Sequence, residues 1–102
     1  MSNKYTDDLI ERLKDPQYAA MYLDAALCDQ KDEDFEQRFL LALRDVAQAH
    51  GISNLARSTE LSRQNLYKIF SEKGNPELKT LTTLLNKLGL RLSISPENEE
   101  AS

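Results

Sequence analysis

Arg63, Gln64, Asn65 and Lys68 fall within six positions of one another. The chemistry of that set is recognition rather than reaction. Guanidinium and carboxamide groups make paired hydrogen bonds to base edges, arginine to guanine and glutamine or asparagine to adenine, when a helix brings them into a major groove by its first turn. On that reading Arg63 and Gln64 contact bases, Asn65 lies beside them, and Lys68, one turn on, reaches a base or a phosphate. Outward polar side chains also make up any solvated helix face, so the elements around these four must decide between the two readings.

Those elements are two short helices. Ser53 is placed to cap one that runs to about Glu60, and Ser62 to cap a second that runs to about Phe70. Helices joined by so tight a turn cross steeply and need a small residue at the crossing, which Ala56 supplies. Leu55, Leu61, Leu66 and Ile69 have the spacing of a buried wedge between them, which leaves Arg63, Gln64, Asn65, Tyr67 and Lys68 facing outward. Ser53, Asn54, Ser62, Tyr67, Lys73, Asn75 and Lys79 stand at helix ends and turns, where N–H groups and cations meet the DNA backbone. Each also has a structural reading: the serines as caps, the Tyr67 ring as packing against the neighbouring helix.

A net charge of −4 and a pI near 5.0 argue against a nucleic-acid partner for the 102-residue chain as a whole. By segment the balance divides. Residues 1–36 carry ten carboxylates against four bases, a balance of −6; residues 37–95 carry nine bases against four carboxylates, +5; Glu97, Glu99 and Glu100 add −3. A basic module lies between acidic ends.

The rest of the chain reads as helix with short turns, since three prolines and three glycines fall between apolar-periodic stretches. Thr6 is expected to cap a first helix, with Leu9, Ile10 and Leu13 on one side. Asp15-Pro16 starts a second, running to about Asp29, with Tyr18, Met21, Tyr22, Ala25 and Cys28 as its inner stripe and Leu23 and Leu27 widening it. Asp32 is expected to cap the longest helix, with Phe35, Phe39, Leu40, Leu43, Val46 and Ala47 buried and Gly51 ending it. Gly74-Asn75-Pro76 is a turn before a last helix that buries Leu81, Leu84, Leu85 and Leu88 and stops at Gly89. Leu90, Leu92 and Ile94 then alternate with polar residues, which is strand patterning.

Several function classes are excluded. No apolar run approaches the roughly 18 residues of a transmembrane helix. Asp7, Asp8 and Glu11 stand where a secretory signal needs apolar residues. A lone cysteine, Cys28, forms no intrachain disulfide and fits a reducing cytoplasm; on an apolar face it reads as a small buried hydrophobe. His50 has no nucleophile or second histidine beside it, and its place at a helix C-terminus suits the dipole. The carboxylates at 32, 33, 34 and 36 are contiguous at a helix start and lack the spacing of a calcium loop. No cofactor motif or metal spacing is present, and an enzyme is not expected.

The helix pair resembles the helix-turn-helix of phage-repressor-like (XRE/Cro) regulators. Together with the acidic leader, the run Leu66-Tyr67-Lys68, the Gly74-Asn75-Pro76 turn and the stretch Leu88-Gly89-Leu90, it looks like the addiction module antidote protein family, antitoxins similar to HigA, from about Asp15 to Ile94. The resemblance implies an all-α, phage-repressor-like helix-turn-helix bundle with leader helices over 1–31, a DNA-binding unit over 32–95 that closes with one short strand, and a disordered tail over 96–102. It implies a repressor of its own operon that neutralises a small basic RelE-like toxin. The family usually has glycine where this chain has Glu60, a residue for which a left-handed conformation costs about 1 kcal/mol.

A single strand cannot satisfy its own ladder groups. Leu90, Leu92 and Ile94 are therefore expected to pair with the same strand of a second copy, or with a sheet edge of the toxin. A homodimer would read a palindromic operator with half-sites about 34 Å apart. A helical adaptor that binds only protein, or a plain XRE-type repressor without a toxin, are the alternatives.

Overall fold

The computed structural model describes residues 4–28, 31–71 and 73–97. Six helices are formed among them: α1 (Lys4–Arg12), α2 (Pro16–Leu27), α3 (Phe35–His50), α4 (Ile52–Thr59), α5 (Arg63–Ile69) and α6 (Leu78–Lys87). The long α3 organises the rest: α1, α2 and α4 pack on it, α4 also packs on α6, and α5 is held by α4. α3 buries Phe39, Leu40, Ala42, Leu43, Val46 and Ala47, the stripe its periodicity predicts plus one alanine, except that Phe35, at the first position of the helix, is half-buried. With Leu55, Leu66, Phe70, Leu84 and Leu85 they form one core.

Three helix ends behave as their residue types require. Asp15 caps α2 by accepting the Gln17 N–H at 3.2 Å, with Pro16 at the first helical position. Ser62 caps α5 by accepting the Asn65 N–H at 3.0 Å. At the end of α6, Gly89 adopts φ 83°; its N–H reaches the Asn86 carbonyl and the Leu90 N–H reaches that of Leu85 at 2.8 Å, the paired bonds of a Schellman motif.

Other starts differ from expectation. α1 already includes position 6, so Thr6 does not cap it. α4 begins at Ile52, which places Ser53 inside its first turn. The cause is Gly51, whose φ of 107° suits glycine alone: its N–H closes α3 on Ala47 and its carbonyl accepts from Leu55, so one residue both ends a helix and begins the next. Asp34, not Asp32, occupies the cap position of α3. Asp32 instead accepts the Asp34 N–H at 3.0 Å and the Arg38 guanidinium at 2.7 Å, and these two bonds hold its carboxyl below the usual aspartate range.

The face of α2 is rotated from its predicted stripe. Ala19, Leu23 and Ala26 are buried, Tyr18 and Tyr22 are half-buried, and Met21, Ala25 and Cys28 are exposed. The Tyr22 hydroxyl donates to Asp45 at 2.7 Å, so the ring sits at the rim where its polar end stays satisfied. The predicted end near Asp29 lies outside the described residues, as do 98–102 of the expected tail. Cys28 is exposed rather than buried, because α2 stops at Leu27 and leaves it on the capping residue.

The expected strand is absent: no strand forms among the described residues, and 90–96 run on irregularly from α6. Leu90 is half-buried and its N–H is spent on the cap of α6, while Leu92 and Ile94 are exposed. A ladder needs a neighbouring strand, and a chain otherwise helical offers none.

Candidate nucleic-acid interface

α4 and α5 are joined by residues 60–62, and local chemistry shapes that turn. Thr59 donates its hydroxyl to the Leu55 carbonyl at 2.7 Å and accepts the Leu61 N–H at 3.4 Å, so one side chain spans the end of α4 and the start of the turn. Glu60 takes the left-handed conformation, φ 63° and ψ 22°, the only non-glycine with positive φ among the described residues. Ser62 then opens α5. Leu55, Leu66 and Phe70 are fully buried at the crossing, with Ala56, Leu61 and Ile69 half-buried around them. The wedge expected from Leu55, Leu61, Leu66 and Ile69 thus differs in its members: Phe70 is fully buried with Leu55 and Leu66, while Leu61 and Ile69 are half-buried.

α5 contains one buried side chain, Leu66. Arg63, Gln64, Asn65, Tyr67 and Lys68 are all exposed, and the helix has no carboxylate. Two cations and three neutral hydrogen-bonding groups therefore project from a helix barely two turns long. Asn65 and Lys68 border a shallow cleft closed on its far side by Lys73, Asn75 and Thr80. Arg63 and Gln64 stand outside that cleft, on the first turn, and Tyr67 is 42% exposed.

The flanking positions separate into two groups. Lys73, Asn75, Lys79 and Ser53 are exposed. Asn54 is committed locally: its carbonyl accepts from Arg57 at 2.5 Å and its amide reaches the His50 carbonyl at 3.4 Å. The Ser62 hydroxyl is likewise spent on its cap. Two further residues were missed by the sequence reading, Arg57 bonded to Asn54 and Thr80 lining the cleft. Arg57 is exposed on α4, and its (i, i+3) spacing from Asn54 was its signal. Thr80 is brought to the cleft by the 74–76 turn, which no local pattern discloses.

Among the described residues, no group of three or more His, Cys, Asp or Glu side chains is placed to hold a metal ion, and no helix is long and apolar enough to cross a membrane. What the surface offers is donors, cations and exposed backbone ends.

Residues 4–96 match the model of a family described as probable addiction module antidote protein. An uncharacterized protein of Haemophilus influenzae strain Rd is 33% identical over 87 residues, which cover 85% of this chain and 86% of that one. No solved structure matches the chain significantly.

Proposed function

This chain belongs to the probable addiction module antidote protein family, and from that premise we propose that it is a DNA-binding repressor and the antitoxin of a type II toxin–antitoxin module. Membership makes it a regulatory protein with a toxin partner. The proposal goes further in four respects. α4 and α5 are the helix-turn-helix of an XRE/Cro regulator of HigA type, within a unit spanning 32–95. Arg63, Gln64, Asn65 and Lys68 read bases, while Ser53, Asn54, Ser62, Tyr67, Lys73, Asn75 and Lys79 meet the backbone, Asn54 and Ser62 through their main-chain N–H groups. The protein represses its own operon, and its toxin is RelE-like.

The observation that carries this reading is α5 itself. A helix held by one leucine, capped by a serine and free of carboxylates presents arginine and glutamine from its first turn, the geometry a major groove accepts. Lys68, Lys73 and Lys79 lie where they raise the local positive potential, although the chain is acidic overall.

Two copies complete the binding unit. The segment at 90–94 leaves Leu92 and Ile94 exposed, and an antiparallel pairing with Leu92 on the two-fold axis sets Leu90 across from Ile94 and Arg91 across from Ser93, with no like charges opposed.

The test is fluorescence anisotropy with the DNA upstream of the gene and a scrambled duplex, at about 50 and 200 mM salt. The proposal expects preference for the upstream palindrome and an affinity that falls at least tenfold between the two salts. Equal, salt-insensitive binding to both duplexes refutes the repressor role, as does binding to neither, which leaves the chain a protein adaptor.

A further inference from the structure

The outer face of α2 is the feature that DNA binding leaves unused. Gln17, Ala20, Met21, Asp24, Ala25 and Cys28 compose it, with one charge in six positions and no lysine or arginine anywhere in the helix. The opposite face, Ala19, Leu23 and Ala26, is already buried on α3. A helix that is apolar on both sides is normally covered on both sides. Met21 is 65% exposed and borders a hollow floored by Leu27, Phe39 and Leu85, with Asp24 and Arg91 on its lining; a second hollow beside the helix is bordered by Tyr22, Ala25, Arg38, Asp45 and the exposed Leu41 of α3.

We propose that this face is where the toxin docks, a partner that inserts apolar side chains into these hollows and surrounds them with lysine or arginine. The charge pattern selects that occupant. Asp15 caps the helix and Asp24 lies on it, Asp45 borders one hollow, and Asp32, Glu33, Asp34 and Glu36 follow α2 in the chain; together they outnumber the two arginines at the hollows, Arg91 and the Arg38 that is paired with Asp32. Carboxylates that ring a dry centre favour a cationic rim on the partner and speed its approach. α2 packs on α3, whereas α5 hangs from α4, so the docked toxin and the DNA are served by different helices. The inference rests on the antitoxin reading and adds the surface.

The test uses the full-length chain, with the toxin encoded beside its gene as the probe in isothermal titration calorimetry. Met21→Glu combined with Asp24→Lys, and separately Ala25→Glu, are expected to weaken toxin binding at least tenfold while unfolding temperature and operator affinity stay at the unsubstituted values. Undiminished toxin binding by both variants overturns the proposal, as does a change from dimer to monomer on Met21→Glu in light scattering, which assigns the face to a second copy. Failure of the unsubstituted chain to bind the toxin overturns the antitoxin role instead, and is distinguished by that control alone.

Discussion

α2 and α5 are both short helices at the surface, yet they are held and clothed in opposite ways. α2 sets three small or aliphatic side chains into the bundle and still exposes methionine, two alanines and a cysteine. α5 sets in one leucine and exposes only polar groups and a tyrosine. Water leaves an apolar face readily and a cationic, hydrogen-bonding face only in exchange for equivalent partners. On the proposed reading the difference separates the partners: a protein with a dry contact for α2, and a wet, charged polymer for α5.

The comparison breaks most completely if α5 loses its anchor. Leu66 is fully buried, and Leu66→Ala removes its contacts and leaves a cavity at the crossing, at a cost of about 2–5 kcal/mol. Thermal unfolding should show a fall in Tm of many degrees, whereas Met21→Ala, on the exposed face of α2, should barely move it. Similar falls for both would mean that α2 is buried and that the contrast is false.

Glu60 sharpens the comparison in the other direction. Its left-handed backbone is strained for any residue with a Cβ, so Glu60→Gly should stabilise the chain by up to about 1 kcal/mol in urea denaturation, the gain being partly offset by the freer unfolded glycine. A loss of stability would show that the glutamate side chain contributes more than its backbone costs.

The smallest effect concerns the carboxylates beyond α2. Asp32 has a folded pKa below its unfolded value, so its contribution is present above the unfolded pKa of about 3.8 and fades as pH falls through the folded one. Asp32→Asn should lower Tm slightly at pH 7, and the difference should close as the solution is acidified below pH 4. A gap that persists at pH 2 would assign the effect to packing.

Much of this arrangement is legible before any fold is known. α3 discloses its buried face because its apolar residues recur at helical spacing against charged ones, and Asp15-Pro16 and Ser62 mark helix starts whose side chains have one obvious acceptor role. α2 does not disclose its face, because alanine, methionine, tyrosine and leucine lie all round it and periodicity cannot choose among them. Three neighbouring carboxylates made the cap of α3 ambiguous, and the freedom of Gly51 let α4 begin a residue before its serine. The strand patterning at 90–94 forms no strand, because a ladder needs a neighbour that the helices of this chain do not supply. For the candidate site, the polar residues of α5 were evident from type and spacing, whereas Thr80 enters only through the 74–76 turn, and the commitment of Asn54 to Arg57 and His50 is a matter of side-chain geometry.

The most direct test of α5 as the reader of DNA is the affinity of Arg63→Ala combined with Gln64→Ala for the operator and for a scrambled duplex of equal length. Each lost bidentate contact is worth about 1–3 kcal/mol, so operator affinity should fall by about 10- to 100-fold per residue. Non-specific binding should fall only by the share of one charge, and Tm should hold. Operator affinity equal to that of the unsubstituted chain would contradict the account.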